Sequence, residues 1–232
     1  MRTYKRIDRI CDAVLLVSTM LDGEVVVSDV GTDHGYVAEK VSKFENVKKV
    51  IATDISEKSL SKLDNLILEK NLSKIETRVG DGLNPVDRAD ICVIAGMGGL
   101  EISKIITNQN KDKNGEKKCN IFVLQPTQNI VELRKWVIKN NYKIIKDTTF
   151  EVFGQYYSIL IIDVSQFEIN KKSIYNYYIG RDCAEDREEF EKFILYLKEY
   201  LSFLDNISME RIEKDKVLKQ KYKLKNLLNK IK

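Results

Sequence analysis

Apolar residues recur along this chain in two rhythms, and the alternation between them predicts the elements. Residues 3–21 carry Ile7, Ile10, Val14 and Val17 at three-to-four spacing, the stripe of an amphipathic helix. Short solid apolar runs then alternate with helical patterns. Strands are predicted at 24–30, 47–55, 74–80, 89–96 and 121–126. Helices are predicted at 35–44, 56–70, 99–109 and 127–141, with Ser56 as an N-cap. Runs at 142–154 and 155–164, divided at Gly154, read as a closing β-hairpin. Solid runs between helices imply a parallel sheet covered on both faces.

The hairpin narrows the fold further. A plain dinucleotide fold has six parallel strands, whereas here the last strand returns antiparallel. The expected fold class is therefore α/β, the Rossmann-like sheet of class I methyltransferases, with seven strands and the seventh beside the fifth. An oxidoreductase using NAD is the competing fold reading.

From residue 166 onward the pattern is polar and helical. Phe190, Ile194, Leu197, Leu201 and Leu204 follow four-three spacing, a coiled-coil seam. Residues 204–208 break it, and Ser208 can cap a second helix striped by Val217, Leu224, Leu228 and Ile231. Two domains are expected: 1–165 as the catalytic sheet and 166–232 as a small helical, coiled-coil-like hairpin. Such a seam can close within one chain or between two; a monomer is expected, with a dimer as the alternative.

Composition adds limits. Hydrophobic residues make up 43% of the 232, enough for a sizeable core. No apolar run reaches the ~18 residues of a membrane span. Charges interrupt the first residues, unlike a secretory signal. A soluble, cytoplasmic protein without membrane contact is expected. The four cysteines, Cys11, Cys92, Cys119 and Cys183, form no CxxC pair, so neither a metal nor a disulfide is expected. Net charge is +4, but residues 211–232 hold nine Lys or Arg against two acids. A basic tail on a near-neutral body suits phosphates; a solvated helix face is the plain alternative.

Candidate chemistry sits where strands end, because ligands in open α/β sheets bind at the carboxyl edge. The first strand runs into DVGTDHG. Asp29 closes it and can accept from an ammonium group, while Gly31 and Gly35 let the chain turn into a helix whose N-terminus favours a carboxylate. Asp54, 23 residues after Gly31, is placed to accept from both hydroxyls of a ribose, with Ile55 beside it to pack on adenine. Asp81 can accept from an exocyclic amine, with Gly82 leaving room for a ring. The fourth strand ends in AGMGG, where Gly96 offers close backbone approach and Met97 a surface for a flat group. Plain readings exist for each: turn aspartates and a packed methionine.

The segments DVGTDHGYVAEKV, GDGL, IAGMGG and LQPTQNIVELRKWVIKNNYKI, followed by a hairpin, together resemble the bacterial tRNA adenine-22 N1-methyltransferases, the TrmK-like family. The resemblance runs over nearly the whole chain. It departs at Gly35, where the family tends to alanine, at Val37-Ala38, where a proline is usual, and at Thr127, where methionine is. It implies S-adenosylmethionine as cofactor, tRNA as partner and N1 of adenosine 22 as acceptor.

On that footing Asp33, His34 and Tyr36 are the catalytic candidates. Adenine N1 carries its own lone pair and needs no strong base, but the product base is cationic. Asp33 would favour that charge and accept from N6, His34 would orient Asp33 or bind cofactor, and Tyr36 would stack on the flipped base. The alternatives are a helix cap for Asp33, a buried histidine and a core tyrosine. Gln125 is a candidate to hydrogen-bond the base edge or the loop, with Pro126 in the first turn of the helix that follows. Lys5, Arg6 and Arg9, with Arg211, Lys219 and Lys223 of the tail, are expected on tRNA phosphates. Competing functions are methylation of another RNA or a small molecule, and a non-catalytic RNA-binding protein.

Overall fold

The computed structural model describes residues 2–169, 174–206 and 214–231. It opens with α1 (Arg2–Ser18), β1 (Val25–Val30), α2 (Tyr36–Val41), β2 (Val47–Asp54), α3 (Glu57–Lys70) and β3 (Ile75–Val79). Next come β4 (Ile91–Ala95), α4 (Gly99–Gln109), β5 (Ile121–Gln125), α5 (Ile130–Lys139), β6 (Tyr142–Val152) and β7 (Gln155–Phe167). After these lie α6 (Ile174–Tyr178), a 3-10 turn (Cys183–Glu185), α7 (Arg187–Asn206) and α8 (Lys214–Lys230).

The strands form one seven-stranded sheet in the order β3-β2-β1-β4-β5-β7-β6. β1 to β5 pair in parallel, and β7 lies antiparallel between β5 and β6. This is the expected seven-stranded sheet with the seventh strand beside the fifth. The two-residue turn Phe153-Gly154 has φ of 51° and 77°, both in the left-handed region that a tight hairpin requires.

Solid apolar strands follow from burial on both faces. Ile91, Val93, Ile121 and Val123 pack beneath α1, α2 and α3. Their neighbours Cys92, Ile94, Phe122 and Leu124 pack beneath α4 and α5. The alternation is geometric rather than chemical, so it shows as a continuous run in the sequence.

Two helices begin later than the pattern predicts. Gly35 takes φ 72° as the residue before α2, so the predicted helix 35–44 shrinks to Tyr36–Val41. Thr127 and Gln128 are tied to the preceding crossover instead of joining α5, Thr127 N donating to Met97 O at 2.9 Å and Gly99 N to Gln128 O at 2.8 Å, and Asn129 caps the helix at φ 59°. Pro126 therefore lies outside the helix and not in its first turn. β7 continues three residues past the predicted run, to Phe167.

The C-terminal helices form a third cluster around Ile179, Phe193, Ile194, Leu197, Leu224 and Leu227. Asp205 near the end of α7 pairs with Lys221 in the first half of α8, while Phe190 and Leu228 meet at the opposite end, so the pair is antiparallel. Of the predicted seam, Ile194, Leu197 and Leu204 are buried, and Phe190 and Leu201 are half-buried; Phe193 and Leu227 join the core without having been predicted. Ser208 and Arg211 lie outside the described residues, as does the side chain of Val217. A buried pair seats this unit on the sheet. Arg134 donates to Asp147 at 2.8 Å and to Ile179 O at 3.2 Å, with both charges almost wholly enclosed.

Candidate active site

The strand order reverses between β1 and β4, and the cleft opens there, at the carboxyl ends of the strands. Its volume is about 800 Å³. Asp29, Gly31, Asp54, Ile55, Asp81, Gly82, Gly96 and Met97 all line it, so the predicted cofactor set converges on one cavity. Gly35 stands behind it: a side chain there would strike Leu63 Cδ1, so the position serves the turn.

Three carboxylates divide the cleft floor. Asp29 is buried at the end of β1 and accepts from Thr32 Oγ1 at 2.6 Å. Burial pushes its carboxyl up to about 6; the Thr32 hydroxyl and the Ala38 backbone pull the other way, and Asp54 adds a little upward push. Asp54 ends β2 and is fixed by two amides, Asp33 N at 3.1 Å and Ser56 N at 2.8 Å. Asp81 is exposed and accepts from Gln109 Nε2 at 3.2 Å, while Gln109 Oε1 accepts from Leu83 N at 2.7 Å. Gln109 and Thr32 were not marked in the sequence. Each gains its role only from the residue it faces in space.

The crossover after β4 shapes the opposite wall. Gly31 takes φ 72°, a left-handed conformation that glycine adopts without strain, and the end of the Met97 side chain lies over it. Met97 both packs on the core and faces the cleft. Glu101, in the first turn of α4, and Thr127 also reach the cavity.

At the rim, Asp33, His34 and Tyr36 come together. Asp33 has φ 47°, an uncommon conformation for a non-glycine residue. His34 Nδ1 lies 2.7 Å from Asp33 Oδ2, and the His34 and Tyr36 rings are parallel within 1° at 5.7 Å. All three are exposed to the cleft, which removes the readings of a buried histidine and a core tyrosine. Gly35, not Asp33, occupies the cap position of α2.

Of the two partners expected for Gln125, the structure gives the loop after β5 and not the base edge. Gln125 is fully buried, absent from the cleft lining, and donates through Nε2 to Pro126 O at 2.8 Å. The strand carries its side chain into the sheet's packed layer. Arg6 faces the cleft from α1. Lys5 lies over Phe153 at 4.9 Å and Arg9 over Phe150 at 5.7 Å, so the first helix sets cations on the rings of the hairpin. Lys219 and Lys223 are exposed on α8.

Residues 8–160 match the family model described as a methyltransferase domain. The chain belongs to the methyltransferase-domain family. Among named relatives, this methyltransferase is 33% identical over 163 residues to the proposed tRNA methyltransferase MG248 of Mycoplasma genitalium, across 68% of this chain and 69% of that one. It is 30% identical over 150 residues to the tRNA (adenine(22)-N(1))-methyltransferase of Bacillus subtilis, spanning 63% of this chain and 62% of that protein. Among solved structures it is similar in fold to M. capricolum TrmK in complex with S-adenosyl-homocysteine, with a TM-score of 0.76, 20% identity and 98% of each chain covered.

Proposed function

We propose that this protein transfers a methyl group from S-adenosylmethionine to N1 of adenosine 22 in tRNA. The observation that carries the reading is the row of Asp29, Asp54 and Asp81 at the ends of three strands, all facing one cleft. Their chemistry suits the cofactor: a buried carboxylate for its ammonium, an amide-fixed carboxylate for its ribose hydroxyls and an exposed carboxylate for its adenine amine. Gly31, left-handed at φ 72° and without a side chain, supplies the close backbone approach. The likeness to the Bacillus enzyme supports adenosine 22 as the acceptor.

When bound, the cofactor supplies an electrophilic methyl on a sulfonium. The chain's residues do the rest. Asp33, held against His34, accepts from the N6 amine and favours the positive charge that grows on the base. Tyr36, parallel to His34, offers a ring for a flipped adenine. Lys5 and Arg9, with Lys219 and Lys223, hold phosphates and position the RNA without reading its sequence. Residues 1–165 act as the catalytic unit, and 166–232 as a helical unit that adds tRNA contacts.

The test is direct. Protein and S-adenosylmethionine are incubated with unmodified tRNA bearing adenosine at position 22, and with the same tRNA bearing guanosine there. Digestion and mass spectrometry should find N1-methyladenosine only from the first. Product from both would refute the position; product from neither, with cofactor bound, would refute the substrate.

A further inference from the structure

The tip of the β6–β7 hairpin breaks a rule that the chain keeps elsewhere. Val152 pairs with Gln155, so the turn between the strands is Phe153-Gly154, with φ of 51° and 77°. Asparagine or aspartate before glycine is the ordinary choice for such a turn, because a bulky side chain is strained in the left-handed region. The other non-glycine residues of positive φ, among those described, are Asp33, Asn71, Asn129 and Asn141, all of types that tolerate it. Phe153 is the large apolar exception. It is 45% exposed and belongs to none of the core clusters. Neither the turn nor the core accounts for phenylalanine here, and a strained, exposed ring points to a use outside the folded chain.

The tip stands beside the mouth of the cleft. β7 runs antiparallel to β5 with Leu124 facing Leu160, and β5 ends at Gln125. The hairpin therefore carries Phe153 well past the carboxyl edge at which the cleft opens. The first helix joins the two: Arg6 lines the cleft and lies 5.7 Å over the Tyr157 ring, and Lys5 lies 4.9 Å over Phe153 itself. With Arg9 over Phe150, a row of cations follows the hairpin to its end. A short, fixed turn that presents an apolar ring between cations suits a nucleic acid. The cations take phosphates, and the ring enters between bases.

We infer that Phe153 is a wedge that enters the RNA base stack beside the target adenosine and fills the gap left when that adenine turns into the cleft. The inference rests on the proposed tRNA substrate and adds to it a means of extracting the base. Turning a base out costs its stacking and pairing. A ring that takes the vacated place gives the neighbouring bases a new face to stack on, whatever their identity. The wedge thus opens the site without choosing it. The strained turn holds the ring outward, where an asparagine would be more comfortable but would have nothing to insert.

The test is single-turnover methylation by the full chain on two tRNAs: one unmodified with adenosine at position 22, and the same tRNA made abasic opposite the target, where the adenine is already loosely held. Phe153→Asn should slow the first by about 10- to 100-fold, the range set by the cost of unstacking a base, and the second far less. Phe153→Trp, which keeps a flat ring, should act like wild type on both. Phe153→Asn should also melt at a higher temperature than wild type, because asparagine relieves the turn, and should bind S-adenosylhomocysteine unchanged. Wild-type rates for Phe153→Asn on both tRNAs would overturn the inference. So would an equal loss on both, which would make Phe153 a surface contact, and a lower melting temperature with that loss would make it a tether for α1. Wild type that methylates neither tRNA would overturn the proposed substrate, and the inference with it.

Discussion

Thr32 Oγ1 donates to Asp29 Oδ2 at 2.6 Å inside the first turn of the site. That bond is the main support for a carboxylate whose burial holds its proton up to about pH 6. The ordinary value is 3.8, so between these values the folded chain binds more protons than the unfolded one. Stability from Asp29 is therefore full below 3.8 and is lost as pH rises through 6, a swing of about 3 kcal/mol. An ammonium ligand favours the ionised form, so S-adenosylhomocysteine should bind more tightly as pH rises to about 6 and level off above it. Asp29→Asn should stabilise the free protein at pH 8 and abolish this slope. Thr32→Val should move the plateau to higher pH. Calorimetry from pH 5 to 8, with thermal melts of each variant, checks all three.

Asp33 tests whether the rim does chemistry or only turns the chain. Its φ of 47° suits asparagine or glycine at least as well as aspartate. Asp33→Asn should leave cofactor affinity intact and lower kcat by about 100-fold, because it removes the charge that favours a cationic base. Asp33→Gly should raise the melting temperature through relief of the backbone while losing activity. Single-turnover methylation by Asp33→Asn at the wild-type rate would remove Asp33 from the chemistry.

The sheet was legible because its signal is local. Each strand is a run of apolar residues bounded by turns, and the three acids stand at positions where an ordinary strand end must face the ligand edge. What failed depended on distant partners. Gln125 follows an apolar run as naturally as Asp29 does, but its side chain turns into the packed layer, and one-dimensional spacing cannot show which way a terminal residue points. The start of α5 moved because Thr127 and Gln128 bond back to Met97 and Gly99, about thirty positions earlier. Arg6 read as one basic residue in a basic helix; only Tyr157, returning on the last strand, gives it a direction.

The buried Arg134–Asp147 pair should be the costliest break between the sheet and the C-terminal helices. Arg134 also bonds Thr149 and Ser158, and Arg181 N donates to Asp147 at 3.2 Å. Arg134→Met leaves an uncompensated buried carboxylate, which costs about 3–5 kcal/mol. Asp147→Leu in the same chain should restore a large part of that loss, since the orphaned charge is removed. Urea denaturation of the two single variants and the double variant measures the coupling. Loss below 1 kcal/mol in Arg134→Met would mean that water reaches the pair.

The tail offers an electrostatic test that leaves the cleft untouched. Lys219 and Lys223 lie on α8, which gives no residue to the cleft lining, and both are exposed. Neutralising them with Lys219→Gln and Lys223→Gln should therefore spare S-adenosylhomocysteine binding. If both hold phosphates, tRNA affinity should fall, and its dependence on salt should flatten as well. Each contact removed should lower the slope of log K against log salt by about 0.7 to 0.9, because fewer counterions are released. A uniform loss of affinity with the slope unchanged would point to a misfolded helix pair instead. Binding unchanged across 50 to 300 mM salt, at roughly the range where phosphate contacts dominate, would assign these lysines to solvent.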